Sequence, residues 1–515
     1  MSRSFFWQRS AKASAHAAGF RLSVRKSAGF RHRPGLFDWL RDTGYPTAPL
    51  PYLPAEDTIM KKHLPALLTA LALLALTLLE GTAMADTIHY YRGENIGDVH
   101  PYYDADTQTW IMYYLRANGS FDAAALRSAD LLHWEPAQLS CQGALAPYFV
   151  LGVQPYQEQY YSWYGSAASM SASRSADLLH WENPGREASI PMGYTTFVGM
   201  RDPYVFFDED AGVWRVICTA YRTNQLQGQG LGMKCALATA CSAGSAPEQW
   251  HPIDTTLVAY PDGLHGEPEC PQMMKIGNRW YIFVSLARRH ENHVGRLSYY
   301  IGDAGKGILE QDWDEKEEYF LTSEDLCAAQ LAQGPDGLYC WGWIAPNWDG
   351  GSWGGHLSLP LRVTQNADGT LSASLAPQAG QALRGELLAQ GSDAVSGDFD
   401  RFDAEFTFTL KAGERAVIHC GNGQITLDDR AGLFAVSQDD TLTHVSHPLT
   451  PGTLVGNHTV RVIAEEDMIE AFLDRQYALA ARMRQETRCQ SMSVAGAENP
   501  CVAVYVLRLP EAQPL

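Results

Sequence analysis

One ten-residue string occurs twice, with a single change at its first position. Leu126-Arg127-Ser128-Ala129-Asp130-Leu131-Leu132-His133-Trp134-Glu135 returns as Ser173-Arg174-Ser175-Ala176-Asp177-Leu178-Leu179-His180-Trp181-Glu182. The period is about 47 residues, and self-similarity at roughly 40–50 residues with several short strands per unit is the mark of a β-propeller. The string reads as a turn entering the outer strand of a blade, with Trp packed between blades. It carries no chemistry of its own.

The rest of the chain agrees with a strand-built fold. Trp110-Ile111-Met112-Tyr113-Tyr114-Leu115, Tyr160-Tyr161-Ser162-Trp163-Tyr164, Val213-Trp214-Arg215-Val216-Ile217-Cys218 and Trp280-Tyr281-Ile282-Phe283-Val284 are short aromatic and β-branched runs. Turn residues such as Ile276-Gly277-Asn278 bound them, and no long stretch keeps helical periodicity. The pattern weakens at the turn-rich Gln365-Asn366-Ala367-Asp368-Gly369-Thr370. Alternation resumes in Phe402-Asp403-Ala404-Glu405-Phe406-Thr407-Phe408-Thr409-Leu410, as in a sandwich with one face per sheet buried. The expected class is all-β: a propeller over 88–365, then a C-terminal β-sandwich over 375–512.

The chain carries a formal net charge of −19, unevenly spread. Residues 1–59 are net basic, so the remainder is more acidic still. A surface of that sign repels nucleic acid and anionic lipid and suits a neutral substrate. Met60-Lys61-Lys62-His63, an apolar run from Leu64 to Leu79 and Ala83-Met84-Ala85 form a signal-peptide pattern, with cleavage expected after Ala85. That makes the protein secreted or periplasmic, with an uncleaved membrane anchor as the alternative, and 1–59 a basic extension or a start-site artefact. Among the ten cysteines, Cys489 with Cys501 and Cys235 with Cys241 stand close enough in sequence to staple loops. No CxxC pair or Cys/His zinc spacing occurs, so no metal or cofactor is expected.

Three acidic motifs precede strand runs. They are Gly97-Asp98-Val99-His100-Pro101, Arg201-Asp202-Pro203, and Gly266-Glu267-Pro268-Glu269-Cys270-Pro271. Each sits at the start of an expected innermost strand, so the three carboxylates converge at one mouth of the channel. Paired carboxylates flanking a glycosidic bond are the minimum for its hydrolysis.

This set resembles glycoside hydrolase family 32, the β-fructosidases. Arg201-Asp202-Pro203 is similar to that family's Arg-Asp-Pro motif, and Glu269-Cys270-Pro271 to its Glu-Cys motif. Asp325-Leu326-Cys327-Ala328-Ala329-Gln330 is similar to its Asp-Phe-Tyr-Ala-x-Gln stretch. Tyr339-Cys340-Trp341-Gly342-Trp343-Ile344 and Trp353-Gly354-Gly355-His356 resemble the segment closing its propeller. The first motif departs from the family's Trp-x-Asn-Asp-Pro.

The resemblance implies a five-bladed propeller and retaining hydrolysis of terminal β-D-fructofuranosyl residues from sucrose or fructans. It implies Asp98 as nucleophile, Glu269 as acid/base and Asp202 as transition-state stabiliser, with Arg201 holding the carboxylates. Asp325 reaches the substrate on this reading. Trp163 and Trp343 are candidate walls for the sugar, with core packing as the alternative. His100 contacts the sugar or packs beside Pro101. His265 is a subsite contact or a loop histidine, and Cys270 packs behind Glu269. A fructosyltransferase, an inverting arabinanase- or xylosidase-type enzyme and a non-catalytic fructan-binding protein are the rival readings.

Overall fold

The computed structural model describes residues 87–509, except 91–95, 118–120, 143–150, 166–168, 185–187, 195, 223–234, 261–266, 288–295, 346–353, 421–422 and 440–441. The 60–85 signal pattern, His265 and Trp353 lie outside the described residues. Chain contacts separate 1–82 from 83–515, and all the described residues belong to the second unit. Among the described residues no helix is long and apolar enough to cross a membrane.

The first part consists of five sheets in chain order, antiparallel except where Ser140–Gln142 runs parallel to His180–Glu182 in the second. Four strands from Ile96 to Ala137 form the first, and the second is built around Leu151–Tyr156, Gln159–Tyr164, Ser169–Ser175 and His180–Glu182. The third runs from Phe197 to Tyr260, the fourth from Glu267 to Phe320 and the fifth from Leu326 to Leu375. The first strand of each sheet touches that of the next, and Leu326–Gly334 of the fifth touches Ile96–Asp104 of the first. Ile96 also pairs with Gly355 of the fifth sheet through two backbone hydrogen bonds of 3.0 and 2.8 Å. A methyl group on Gly355 would lie 1.9 Å from the Ile344 carbonyl oxygen, so this join requires glycine.

The repeated string behaves alike in both copies. Asp130 Oδ1 accepts from the amides of Leu132 and His133, and Asp177 Oδ1 from those of Leu179 and His180. Leu131 and Leu178 adopt left-handed φ of 74° and 67°. This local turn aims the Trp that follows. Trp181 packs edge-on against Tyr113 of the first sheet, and Trp134 against Trp341 of the fifth. Tyr113 donates to the Leu178 carbonyl at 2.7 Å, across the gap between sheets one and two.

The expected boundary at 365 moves. Leu371–Leu375 pairs with Leu361–Gln365, so Asn366–Thr370 is a hairpin inside the fifth sheet. A short helix, Pro377–Leu383, then leads to two six-stranded sheets over Arg384–Leu507. Their facing sides share a core that includes Phe402, Phe406, Ile418, Phe434 and Val462. A second apolar cluster runs unbroken from Trp341, Leu359 and Leu375 to Ile463, Met468 and Phe472, so the two parts are packed as one body. Among the described residues the ten cysteines form no disulfide. Cys489 and Cys501 lie in different sheets of the sandwich and do not staple a loop.

Candidate active site

Every first strand carries the same defect. In each, two residues face one on the neighbouring strand, and one of the two is left-handed. The left-handed residues are Asp98 (φ 43°), Gly152 (55°), Asp202 (53°), Cys270 (48°) and Ala328 (43°). Such a β-bulge turns a side chain out of the pleat, and left-handed φ at residues other than glycine is strain held by the surroundings. Here the bulge directs Asp98 and Asp202 from their strands, and Glu269 stands one residue before its own. Three acids on three sheets thereby meet.

Arg201 is the hub. Its Nη1 donates to Asp202, and its Nη2 donates to Glu267 at 2.7 Å and to Glu269 at 3.1 Å. Its Nε donates to the Tyr221 hydroxyl at 2.7 Å and to Glu267 at 3.2 Å. The Tyr221 hydroxyl in turn donates to Glu267. The Cys270 amide donates to Asp202 at 3.1 Å, fixing that carboxylate from the neighbouring sheet. One guanidinium thus faces more carboxylates than it can neutralise.

The charge state follows. Burial, then repulsion from Glu269 and Asp202, lifts the Asp98 carboxyl to about 7, with Arg201 and the Trp343 indole pulling the other way. Burial also lifts Glu269 to about 7, against the pull of Arg201 and with help from Glu267 and Asp202. Burial pushes the Cys270 thiol well above its ordinary range, so it is no nucleophile.

No protein-family model and no curated protein sequence matches this chain. Solved structures do. A sucrose-6-phosphate hydrolase from Lactobacillus gasseri superposes with a TM-score of 0.63 at 13% identity, covering 85% of this chain and 96% of that one. A β-fructofuranosidase from Schwanniomyces occidentalis, complexed with fructosyl-erythritol, gives 0.60 at 14% identity, covering 82% and 97%. The GH32 β-fructofuranosidase of Bombyx mori gives 0.59 at 16% identity, covering 80% and 91%. The fold is that of glycoside hydrolase family 32. At these identities the likeness concerns the fold, and the chemistry rests on the residues.

Within that family 32 fold, Asp98, Asp202, Glu269 and Arg201 come together. Trp343 joins them: it is buried with Cys270, Cys327 and Ala328, and its indole faces Asp98. Trp163 does not join them. It is fully buried between the second and third sheets, its indole bonded to the Ala188 carbonyl at 3.0 Å and packed on Tyr161 and Trp250. It is core, not a sugar wall, because its strand alternation turns it to the neighbouring sheet.

Asp325 is also fully buried. Its Oδ2 accepts from the Arg482 amide at 3.1 Å, a bond that ties the fifth sheet to the sandwich. His100 is buried, and burial pushes its imidazole down to about 3, so it is a neutral packing residue rather than an open sugar contact. The sequence motifs gave no sign of Tyr221. It stands across from Gly199 on paired strands, and only that pairing brings it to Arg201.

Proposed function

We propose that this protein is a retaining glycoside hydrolase that releases terminal β-D-fructofuranosyl residues from sucrose or fructans. The five sheets are read as the blades of one propeller, with the sandwich as a second, supporting domain. The observation that carries the reading is the convergence of Asp98, Asp202 and Glu269 around Arg201 from the first strands of the first, third and fourth sheets.

In the first step an Asp98 oxygen bonds to the anomeric carbon as the glycosidic bond breaks, and Glu269 gives its proton to the leaving oxygen. In the second, Glu269 takes a proton from water, which attacks the same carbon and frees Asp98. Asp202 accepts from fructosyl hydroxyls, whose bonds strengthen as the ring becomes oxocarbenium-like. With both carboxyls near 7, the reactive form has the proton on Glu269 and the charge on Asp98. The superposed structures are a sucrose-6-phosphate hydrolase and two β-fructofuranosidases, which supports fructosyl chemistry. We further propose secretion or periplasmic export through the 60–85 segment.

The deciding experiment incubates purified protein with sucrose, inulin and levan, resolves products by chromatography and follows the first product by NMR. β-Fructofuranose should appear before mutarotation, and Asp98→Ala should abolish its release. An inverted first product, longer fructans instead of fructose, or an active Asp98→Ala variant each overturn the assignment.

A further inference from the structure

We infer that Glu267 and Tyr221 are positioning residues that divert part of Arg201 from Glu269 and thereby set the pH at which Glu269 releases its proton. The inference rests on Glu269 being the acid/base of the proposed reaction.

Glu267 and Glu269 are two apart on one extended strand, so both side chains leave the same face. Glu267 Oε1 collects three donors: Arg201 Nε at 3.2 Å, Arg201 Nη2 at 2.7 Å and the Tyr221 hydroxyl. Glu269 receives the same Nη2 at the longer 3.1 Å. Nη2, with its two hydrogens, thus serves both carboxylates and sits closer to Glu267, the more exposed of the two at 38% against 24%. Tyr221 keeps Glu267 in place from the other side. Its ring passes where a methyl group on Gly199 would come to 3.4 Å, so the facing glycine leaves it room to lean in.

The titratable groups around Glu269 come from several elements. Arg201, Asp202 and Tyr221 belong to the third sheet, Glu267 and Cys270 to its own strand, Asp98 to the first sheet and Cys327 to the fifth. Arg201 is the cation among them, and Glu267 is the carboxylate that shares its Nη2 with Glu269 and draws the guanidinium toward itself. Removing the Glu267 charge removes a like charge and lets the guanidinium shift toward Glu269, and both changes favour the Glu269 anion.

The test is carbon-13 NMR titration of glutamate carboxyls in the whole protein, with Glu269→Gln assigning the resonance. In Glu267→Gln the Glu269 midpoint should fall by about one pH unit, and the basic limb of the pH–rate profile should move down with it. Glu267→Asp keeps the charge and should return the midpoint toward wild type. Tyr221→Phe keeps both charges but frees Glu267 to turn outward, so the midpoint should fall by less. A Glu269 midpoint unchanged in Glu267→Gln, one equally low in Glu267→Asp, or one that rises in Tyr221→Phe overturns the inference. The titration is read without substrate, so an enzyme inert toward fructosides would refute the reaction while the midpoints still decide this point.

Discussion

Replacing His89 by glutamine should strip the protein of a pH-dependent share of its stability. His89 is fully buried at the seam between the fifth sheet and the sandwich. Its Nε2 meets Glu470 at 2.9 Å and its Nδ1 meets Glu465 at 3.4 Å. Glu465 also accepts from the Thr87 hydroxyl and the Ile88 amide, and Glu470 from the Leu359 amide, so one imidazolium ties three segments together. Burial alone would lower the imidazole, but the two carboxylates outweigh it and hold it at about 9, against 6.5 ordinarily. At about 1.4 kcal/mol per unit, that difference is worth roughly 3 kcal/mol. The pKa is raised on folding, so the contribution is complete below pH 6.5, shrinks between 6.5 and about 9 and is gone above. Glu465 is lowered instead, because His89 and its hydrogen bonds overcome its burial, so its share is lost only as pH falls below 4.5. Urea unfolding of wild type and His89→Gln across that range gives the difference directly. It should be largest near pH 6 and decline by roughly 3 kcal/mol toward pH 9. A difference that stays level from 6.5 to 9 would refute the assignment of a buried cation.

Three further outcomes are expected. The kcat/KM profile on a fructoside should be a narrow bell near pH 7, because Asp98 must be ionised and Glu269 protonated while both titrate at about 7; a broad plateau on either side would contradict the charge sharing. Trp163→Phe should lose about 2 kcal/mol in unfolding through the vacated space and the orphaned Ala188 carbonyl. Its KM should not change, and a raised KM at unchanged stability would return Trp163 to the sugar site. Gly355→Ala should lower the Tm sharply, by the equivalent of about 2 kcal/mol or more, since its methyl group collides with Ile344 backbone; a variant as stable as wild type would mean that the Ile96–Gly355 join is dispensable.

The parts of this fold that were legible in the sequence are the local ones. The Ser-x-Asp-Leu-x-x-Trp turn closes on itself within four residues, through Asp130 and His133 or Asp177 and His180, so its meaning survives without tertiary information. Asp98 and Glu269 were legible because their motifs stand near strand starts, and Asp202 because of its Arg-Asp-Pro motif, although its strand already begins at Phe197. Trp163, Asp325 and Tyr221 were not, since their roles depend on which sheet or domain lies opposite. The stretch around Asp325 gave no hint that the Arg482 amide, far along the chain, would bond to one of its carboxylate oxygens. The bulges were hidden for a different reason. Glycine advertises left-handed backbone at position 152, but Asp98, Asp202, Cys270 and Ala328 adopt it without any such marker. The boundary at 365 was misplaced because a hairpin turn and an interdomain linker share one composition.

The join between Ile96 and Gly355 also places the site in time. Asp98 is among the first residues of the folded part to be synthesised, while Trp343 and Gly355, which complete its surroundings, come at the end of the fifth sheet. At about 5–20 residues per second, the ribosome needs on the order of ten seconds or more to travel between them. Only after Glu269, in roughly the last third of that interval, does the nascent chain carry all three acids, and it still lacks the closing join. On the proposed reading a fragment ending before Gly355 should be inactive, because the surroundings of Asp98 are completed last.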